Sequence, residues 1–205
     1  DRLMVGGAFD SLNGHLTPRM ARIFKDGMVD TDFSSNLERH RKAYTLHVDD
    51  QGRVLVYHEE GGSEVAPNDD IELWRLMPDG SLDPTWSPVD FALASDNDYG
   101  GLARSCLPLS NGSYIMYGRY RLVNGGPRTS IAVIDSTGNL LDTLEEEPFS
   151  TDLEAHPRLF VFGDLPEIYD VVSTPDGGLL VGGRFTHYGN HPNLNLIKLI
   201  PSTVS

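Results

Sequence analysis

Two histidines four residues apart, His187 and His191 in THYGNHP, have a spacing that suits metal ligands carried on one helix face. They do not sit in a helical pattern. They align with the DSLNGHLTPR stretch near the start of the chain, so the expectation is a solvated loop and no zinc. SDNDYG (Ser95 to Gly100) and PNDDIE (Pro67 to Glu72) cluster the oxygen ligands that Ca²⁺ takes, but neither has the acidic spacing and distal glutamate of a calcium loop. No metal is expected. Cys106 is the only cysteine, which rules out an internal disulfide and a thiolate-rich zinc site. Its setting, LARSCLPLS, reads as a buried strand position, where a thiol acts as a small hydrophobe and not as a nucleophile.

The enzyme chemistry to weigh against these is hydrolysis by two carboxylates set roughly 5 to 9 Å apart, as in glycosidases. The chain has 30 acidic residues, and nothing in their spacing singles out a pair. Glu145 to Glu147 read as a solvated charged loop. No nucleophile elbow, phosphate-cradling loop or dinucleotide fingerprint is present. No catalytic residue and no cofactor is therefore assigned, and the expectation is a protein that is not an enzyme. Binding has more to draw on. Trp74, Trp86, Tyr99, Tyr117, Tyr120 and Tyr188 could stack on sugars or anchor an interface, against the alternative of packing in a core. Trp74, in an alternating stretch, reads as core. Tyr188, Tyr120 and Tyr99 are the candidate binding residues.

Sixteen basic residues face 30 acidic ones, for a formal net charge of −14. That balance argues against gripping nucleic acid, which needs clustered Lys and Arg to neutralise phosphates. No run approaches the roughly 18 apolar residues of a membrane helix, so no membrane insertion is expected. With 39% hydrophobic residues, 21 Gly and 13 Pro, the composition fits an ordered protein rich in turns.

The elements that carry these residues repeat. LMVGGAF (Leu3 to Phe9) returns as LLVGGRF (Leu179 to Phe185), with weaker versions between them, VLVYHEE from Val54 and YIMYGRY from Tyr114, at steps of about 50 to 65 residues. A second landmark follows each: ARIFKDGMVDTDF, LWRLMPDGSLDPTW and AVIDSTGNLLDTL. Gly27, Gly80 and Gly138 match across these, and Asp30, Asp83 and Asp142 follow them. A residue wanted once per repeat is better explained as a turn former than as a catalyst. The three aspartates are expected to accept hydrogen bonds from turn backbone N–H groups. Short alternating stretches joined by Gln51-Gly52, Asn111-Gly112 and Asp176-Gly177 read as strands in tight hairpins. Asp26-Gly27 and Asp79-Gly80 close a second hairpin in the same unit, and the paired glycines of VGG mark a close backbone approach or a bulge.

Four antiparallel strands per unit is the pattern of a propeller blade. The expectation is an all-β, β-propeller-like array of about four divergent four-stranded antiparallel blades, part of a larger propeller. The units cover approximately 1–38, 39–92, 93–150 and 165–205, with an insert at 151–164. By this template the first and last copies each lack a strand, which predicts unpaired sheet edges that recruit flanking blades or another subunit.

The run LMVGGAFDSLNGHLTPRMARIFKDGMVDTDF resembles the delta-60 repeat, a β-propeller repeat of uncharacterised function. LWRLMPDGSLDPTW and PDGGLLVGGRFTHYGNHPNLNLIKL fit the same template. The resemblance implies propeller blades of bacterial, often surface-associated, and bacteriophage proteins, and it implies no catalytic set. The expected role is thus a non-catalytic structural or binding module of a larger assembly, such as a phage tail or virion protein or a bacterial surface protein. Its partners would be other protein subunits or flanking domains, or glycans, at an extracellular, cell-surface or virion location. The alternatives are a carbohydrate- or receptor-binding propeller and, third, a glycan hydrolase.

Overall fold

The computed structural model describes residues 2–35, 40–60, 71–93, 101–141, 149–152 and 165–200. Among the described residues every regular element is a strand, and no helix is long and apolar enough to cross a membrane. The first repeat holds β1 (Arg2–Gly6), β2 (Ser11–Leu12), β3 (His15–Leu16) and β4 (Met20–Phe24), and the second β5 (His40–Val48), β6 (Val54–Glu60), β7 (Ile71–Leu76) and β8 (Val89–Ala92). The third holds β9 (Leu102–Pro108), β10 (Tyr114–Arg119), β11 (Leu122–Val123), β12 (Gly126–Pro127), β13 (Ile131–Ile134) and β14 (Leu140–Leu141). After β15 (Phe149–Ser150), the fourth holds β16 (Glu167–Ser173), β17 (Leu179–Arg184), β18 (His187–Tyr188), β19 (His191–Pro192) and β20 (Leu196–Leu199).

The chain divides into two compact units, one around Asp1–Phe91 and the other around Gly101–Ser205. In the first unit β1 pairs with β4, and the second repeat runs β5, β6, β7, β8 across its sheet. In the second unit the third repeat forms the sheet β14-β13-β10-β9 and the fourth the sheet β16-β17-β20. All pairings are antiparallel. The expected four-stranded sheet is therefore present in the third repeat, and the second contributes four consecutive strands to a larger sheet. Among the described residues the first repeat pairs two strands and the fourth pairs three.

The turns are of two kinds, and one departs from expectation. At Gly27, Gly52, Gly80, Gly112, Gly138 and Gly177 the glycine N–H donates to the carbonyl three residues back, as in Gly27 to Phe24 at 3.0 Å and Gly80 to Met77 at 2.9 Å. The residue accepting that bond donates its own N–H to the carbonyl just past the glycine, as Phe24 does to Met28 at 2.9 Å. These are three-residue loops, a type I turn followed by a left-handed glycine, with only the glycine at positive φ. The two-residue turns with both central residues at positive φ lie elsewhere. Asn13 (φ 48°) and Gly14 (φ 81°) join β2 to β3, and Asn124 (φ 50°) and Gly125 (φ 74°) join β11 to β12. What the sequence pattern presents as a long loop is thus a small hairpin of its own.

The bulges lie on the partner strands, at Arg104 of β9 and Tyr169 of β16, opposite the glycine positions of β10 and β17. The register of β10 on β9 shifts at Gly118, where an added Cβ would stand 1.9 Å from the Leu102 carbonyl oxygen. At the equivalent Gly183 a Cβ would stand 2.3 Å from the Glu167 carbonyl oxygen. Alternation does the rest. Met20, Val54, Val56 and Leu76 close one core in the first unit, and Ile115, Tyr117, Val171, Val181 and Phe185 close another in the second.

Candidate functional site

The repeated aspartates lead to a buried three-part clasp. Asp30 accepts the Asp32 N–H on Oδ1 at 3.2 Å, closing the expected turn, and its Oδ2 takes Arg22 Nε at 2.8 Å and Arg2 Nε at 2.8 Å. Asp83 repeats the arrangement. Its Oδ1 accepts the Thr85 N–H at 2.8 Å and the Thr85 hydroxyl at 2.7 Å, and its Oδ2 takes Arg75 Nε at 2.7 Å. Each arginine lies against the aromatic ring three residues beyond its aspartate. Arg22 is 5.2 Å from the Phe33 ring centre and Arg75 4.7 Å from that of Trp86. Backbone bonds from Asp30 N–H to the Arg22 carbonyl, 2.8 Å, and from Asp83 N–H to that of Arg75, 2.9 Å, fix the frame.

Burial alone would raise the Asp30 carboxyl, but the Arg22 hydrogen bond, the Asp32 N–H and the Arg22 and Arg2 charges together hold it below the usual range. Asp83 is likewise held low against burial by Thr85 and Arg75. Both aspartates are thus ionised, paired and inside the protein. That is a structural role, one of holding the chain at the point where the fourth strand would otherwise continue. After a single bridge, Ile23 to Val29 or Leu76 to Leu82, the carboxylate ties the chain into a turn.

The third repeat shows the contrast. Its hairpin extends one pair further, to Val133 opposite Leu141. Counting from the equivalent bridges, these two residues hold the places of arginine and aspartate, so Leu141 and not Asp142 occupies the aspartate position. Asp142 itself lies outside the described residues. Gly138 makes the same turn as Gly27 and Gly80. In the fourth repeat the arginine position is Lys198, opposite Leu180, and its ammonium pairs with Asp176 Oδ2 at 2.5 Å.

The candidate binding aromatics do not converge. Tyr120 is 0% exposed, and its hydroxyl donates to the Met116 carbonyl at 2.8 Å, so it is a core residue and not a ligand contact. Tyr188 is half-buried, edge-on to Phe149 with ring centres 5.3 Å apart. Tyr99 lies outside the described residues. Trp74 is partly buried against the first core, and Trp86 is buried with its Nε1 donating to the Leu73 carbonyl at 3.1 Å. Tyr117 is buried and donates its hydroxyl to Asp170 Oδ1 at 3.1 Å. Among the described residues the tyrosines that stand exposed are Tyr44 and Tyr169. Sequence offered no sign of Tyr169, because the shift of register between Ile168 and Asp170 breaks the alternation that would have placed it.

His187 and His191 lie in the β18–β19 hairpin and not in a plain loop. His187 pairs with Pro192 and Tyr188 with His191, so the two imidazoles leave opposite faces of the ribbon. His187 Nδ1 is 2.9 Å from the Thr186 hydroxyl. Among the described residues no group of three or more His, Cys, Asp or Glu is placed to hold a metal ion. The SDNDYG stretch, most of PNDDIE and Glu145 to Glu147 lie outside the described residues. Cys106 is buried in β9, and burial pushes its thiol up to about 12.

Residues 1–33, 61–85 and 174–201 match the model of a family described as a domain of unknown function (DUF5122) beta-propeller. The three stretches are thus similar to an uncharacterised β-propeller repeat. Two of the matched stretches contain the Arg–Asp clasps, and the third contains the VGG strand and its hairpin. The third repeat, where valine and leucine replace the clasp, is outside the match. No curated protein and no solved structure matches the chain.

Proposed function

We propose that this chain is a non-catalytic structural module, built of delta-60-type blades, in a larger assembly of the phage tail, virion or bacterial surface kind. The observation that carries this reading is where the repeats spend their recurrent polar residues. In the first and second repeats arginine, aspartate and an aromatic are used to lock a turn inside the protein, as a scaffold requires and a catalytic site does not. The short hairpins β2–β3, β11–β12 and β18–β19 then offer variable loops on a rigid frame. Its partners are protein subunits or neighbouring blades, in an extracellular or virion setting.

The test compares three outcomes on the purified protein and its natural source. Co-fractionation of the natural protein with a high-mass assembly, with no turnover of aryl glycosides, is the expected result. Hydrolysis that a single carboxylate substitution abolishes would overturn the reading in favour of a glycan hydrolase. Selective retention on a glycan array without co-fractionation would overturn it in favour of a lectin.

A further inference from the structure

The bulges of β9 and β16 fall at one position in two repeats. Ser105 and Ala103 pair with Tyr117 and Gly118 and leave Arg104 between them, and Asp170 and Ile168 pair with Gly182 and Gly183 and leave Tyr169. Each bulge presses backbone onto the glycine opposite, where a Cβ would stand 1.9 Å from the Leu102 carbonyl oxygen at Gly118 and 2.3 Å from that of Glu167 at Gly183. The second repeat has His58 at that place. There Ala43 and Tyr44 pair with His58 and Tyr57 with no residue between them, so the bulge goes with the glycine. Two blades thus give up a side chain on one strand to re-aim a residue on its neighbour, the use that bulges have beside binding sites.

The re-aimed residues meet. The Arg104 guanidinium lies 5.1 Å from the centre of the Tyr169 ring, and its Nη2 donates to Glu167 Oε1. Glu167 is itself braced: its side chain is 12% exposed, its Oε2 is 3.9 Å from Arg184 Nη2, and that nitrogen donates to the Leu165 carbonyl at 3.1 Å. Tyr169 still exposes 48% of its surface, and the Arg104 side chain 44%. That exposure belongs to the position, because Arg104 keeps it with the fourth blade packed against its own. An aromatic ring, a guanidinium with five N–H donors and a carboxylate able to accept about four hydrogen bonds are therefore held together before any ligand arrives.

We propose that Tyr169, Arg104 and Glu167 bind a neutral pyranose sugar, its C–H face on the tyrosine ring and two adjacent hydroxyls on the guanidinium and the carboxylate. The ion pair offers donor and acceptor side by side without net charge, which matches hydroxyl groups, and the formal net charge of −14 repels an anionic glycan. The site adds a ligand to the scaffold reading and does not depend on it.

The experiment is saturation-transfer NMR on the 205-residue chain with the methyl pyranosides of glucose, galactose, mannose and N-acetylglucosamine, and of glucuronic acid as the anionic arm. Each is used at a few millimolar, where a site with a dissociation constant of about 1 mM is largely occupied. At least one neutral glycoside is expected to show transfer, strongest at the C–H protons of one ring face. Tyr169→Ala and Arg104→Met are each expected to weaken binding by roughly tenfold or more, as truncation of a central aromatic or arginine anchor does. Tyr44→Ala, at the other exposed tyrosine among the described residues, is expected to leave it unchanged. Circular dichroism checks that the variants fold. Should Arg104→Met unfold, Arg104→Lys takes its place, which keeps the charge without the fork and is expected to weaken binding as well. No transfer to any neutral glycoside overturns the proposal, and so does transfer to the glucuronide alone, full affinity in Tyr169→Ala, or an equal loss in Tyr44→Ala. If no sugar binds and Tyr169→Ala instead releases the protein from its high-mass assembly, the patch is a protein contact, which overturns the sugar site and leaves the scaffold reading intact. Sugar binding together with co-fractionation leaves both standing.

Discussion

Asp83→Ala removes one partner from an ion pair in which both side chains are almost fully enclosed, Arg75 at 2% and Asp83 at 3% exposure. The guanidinium is left buried without its carboxylate, a loss that typically costs about 3–5 kcal/mol. Losing the hydrogen bonds from Thr85 adds to this. For a chain of this length each 1 kcal/mol shifts the melting temperature by roughly 2–4 °C, so the expected fall is about 6–20 °C. The double variant Arg75→Val/Asp83→Leu copies the Val133–Leu141 pair that the third repeat places at the same positions. It removes charge and countercharge together, and buried ion pairs replaced by apolar residues of similar volume are commonly neutral or better. Its cost is expected to stay below about 2 kcal/mol, the remainder coming from the lost stacking on Trp86. Urea unfolding followed by tryptophan fluorescence is the assay, because Trp74 and Trp86 are the only tryptophans and both report on the second repeat. A double variant as unstable as the sum of its single substitutions would refute the pairing argument. So would an Asp83→Ala variant that loses less than about 1 kcal/mol, the range of an exposed salt bridge.

Gly80→Ala is expected to destabilise more than Gly27→Ala, as measured by thermal melting. Both alanines would sit at a left-handed φ, costing about 1–2 kcal/mol, but at Gly80 the new Cβ would also stand 2.5 Å from the Ser34 carbonyl oxygen, while at Gly27 it meets open space. Acid should unfold the protein over a defined window. Asp30, Asp83 and Asp135 are all held below the carboxylate value of 3.8, Asp135 at about 2, where burial is outweighed by the N–H groups of Asn139 and Thr137 and the Thr137 hydroxyl. Groups of this kind stabilise the fold fully above their unfolded value and stop doing so as pH falls through the folded one, so stability in urea should drop between about pH 4 and 2 and change little from 5 to 7. Cys106 should resist a thiol reagent at pH 8 in the native protein and react at once in urea, read by absorbance. Chelation of divalent metal should leave the melting temperature unchanged, and a large fall would point to the Asp96–Asp98 stretch.

The β class, the hairpin positions and the close-approach glycines were legible because each rests on local rules. Alternation fixes a strand face, and glycine relieves φ or a close approach whatever surrounds it. Turn type was less legible. Gln51-Gly52 and Asn13-Gly14 look alike as dipeptides, yet only the second places both residues at positive φ. The difference lies in which carbonyl the flanking strand offers, and that is a property of register and not of the pair. Tyr120 was misplaced for a related reason. Its place just past β10, two residues beyond Gly118, turns it inward, and the register there is set by a bulge at Arg104 in β9, a strand more than ten residues away. The arginine half of the clasp left a signal that could have been found, since Arg22 and Arg75 each precede their aspartate by eight residues in otherwise divergent copies.

That fixed separation bears on how the copies diverged. A buried carboxylate without its guanidinium, or the reverse, is the state the pairing energetics penalise most, while the apolar pair is tolerated. Arginine and aspartate should therefore be kept or lost together. The chain shows both outcomes in the described repeats: Arg22 with Asp30, Arg75 with Asp83, and Val133 with Leu141. Loss of the pair also frees the strand, because without a carboxylate to capture the next N–H the ladder runs on by one more residue pair, which is why β14 is a strand in the third repeat and an isolated bridge in the first two. Lys198 fits the same logic from the other side. A lysine at the arginine position is a flexible point charge that can turn outward to Asp176, and it does not need a buried partner to remain solvated. Substituting Lys198→Arg should thus change stability by less than about 1 kcal/mol, as for exposed pairs, where Arg75→Lys, inside its clasp, should cost more because a lysine reproduces neither the carboxylate fork nor the stacking on Trp86. Equal losses for the two substitutions in urea unfolding would show that burial, not repeat position, has been misjudged as the source of the clasp's strength.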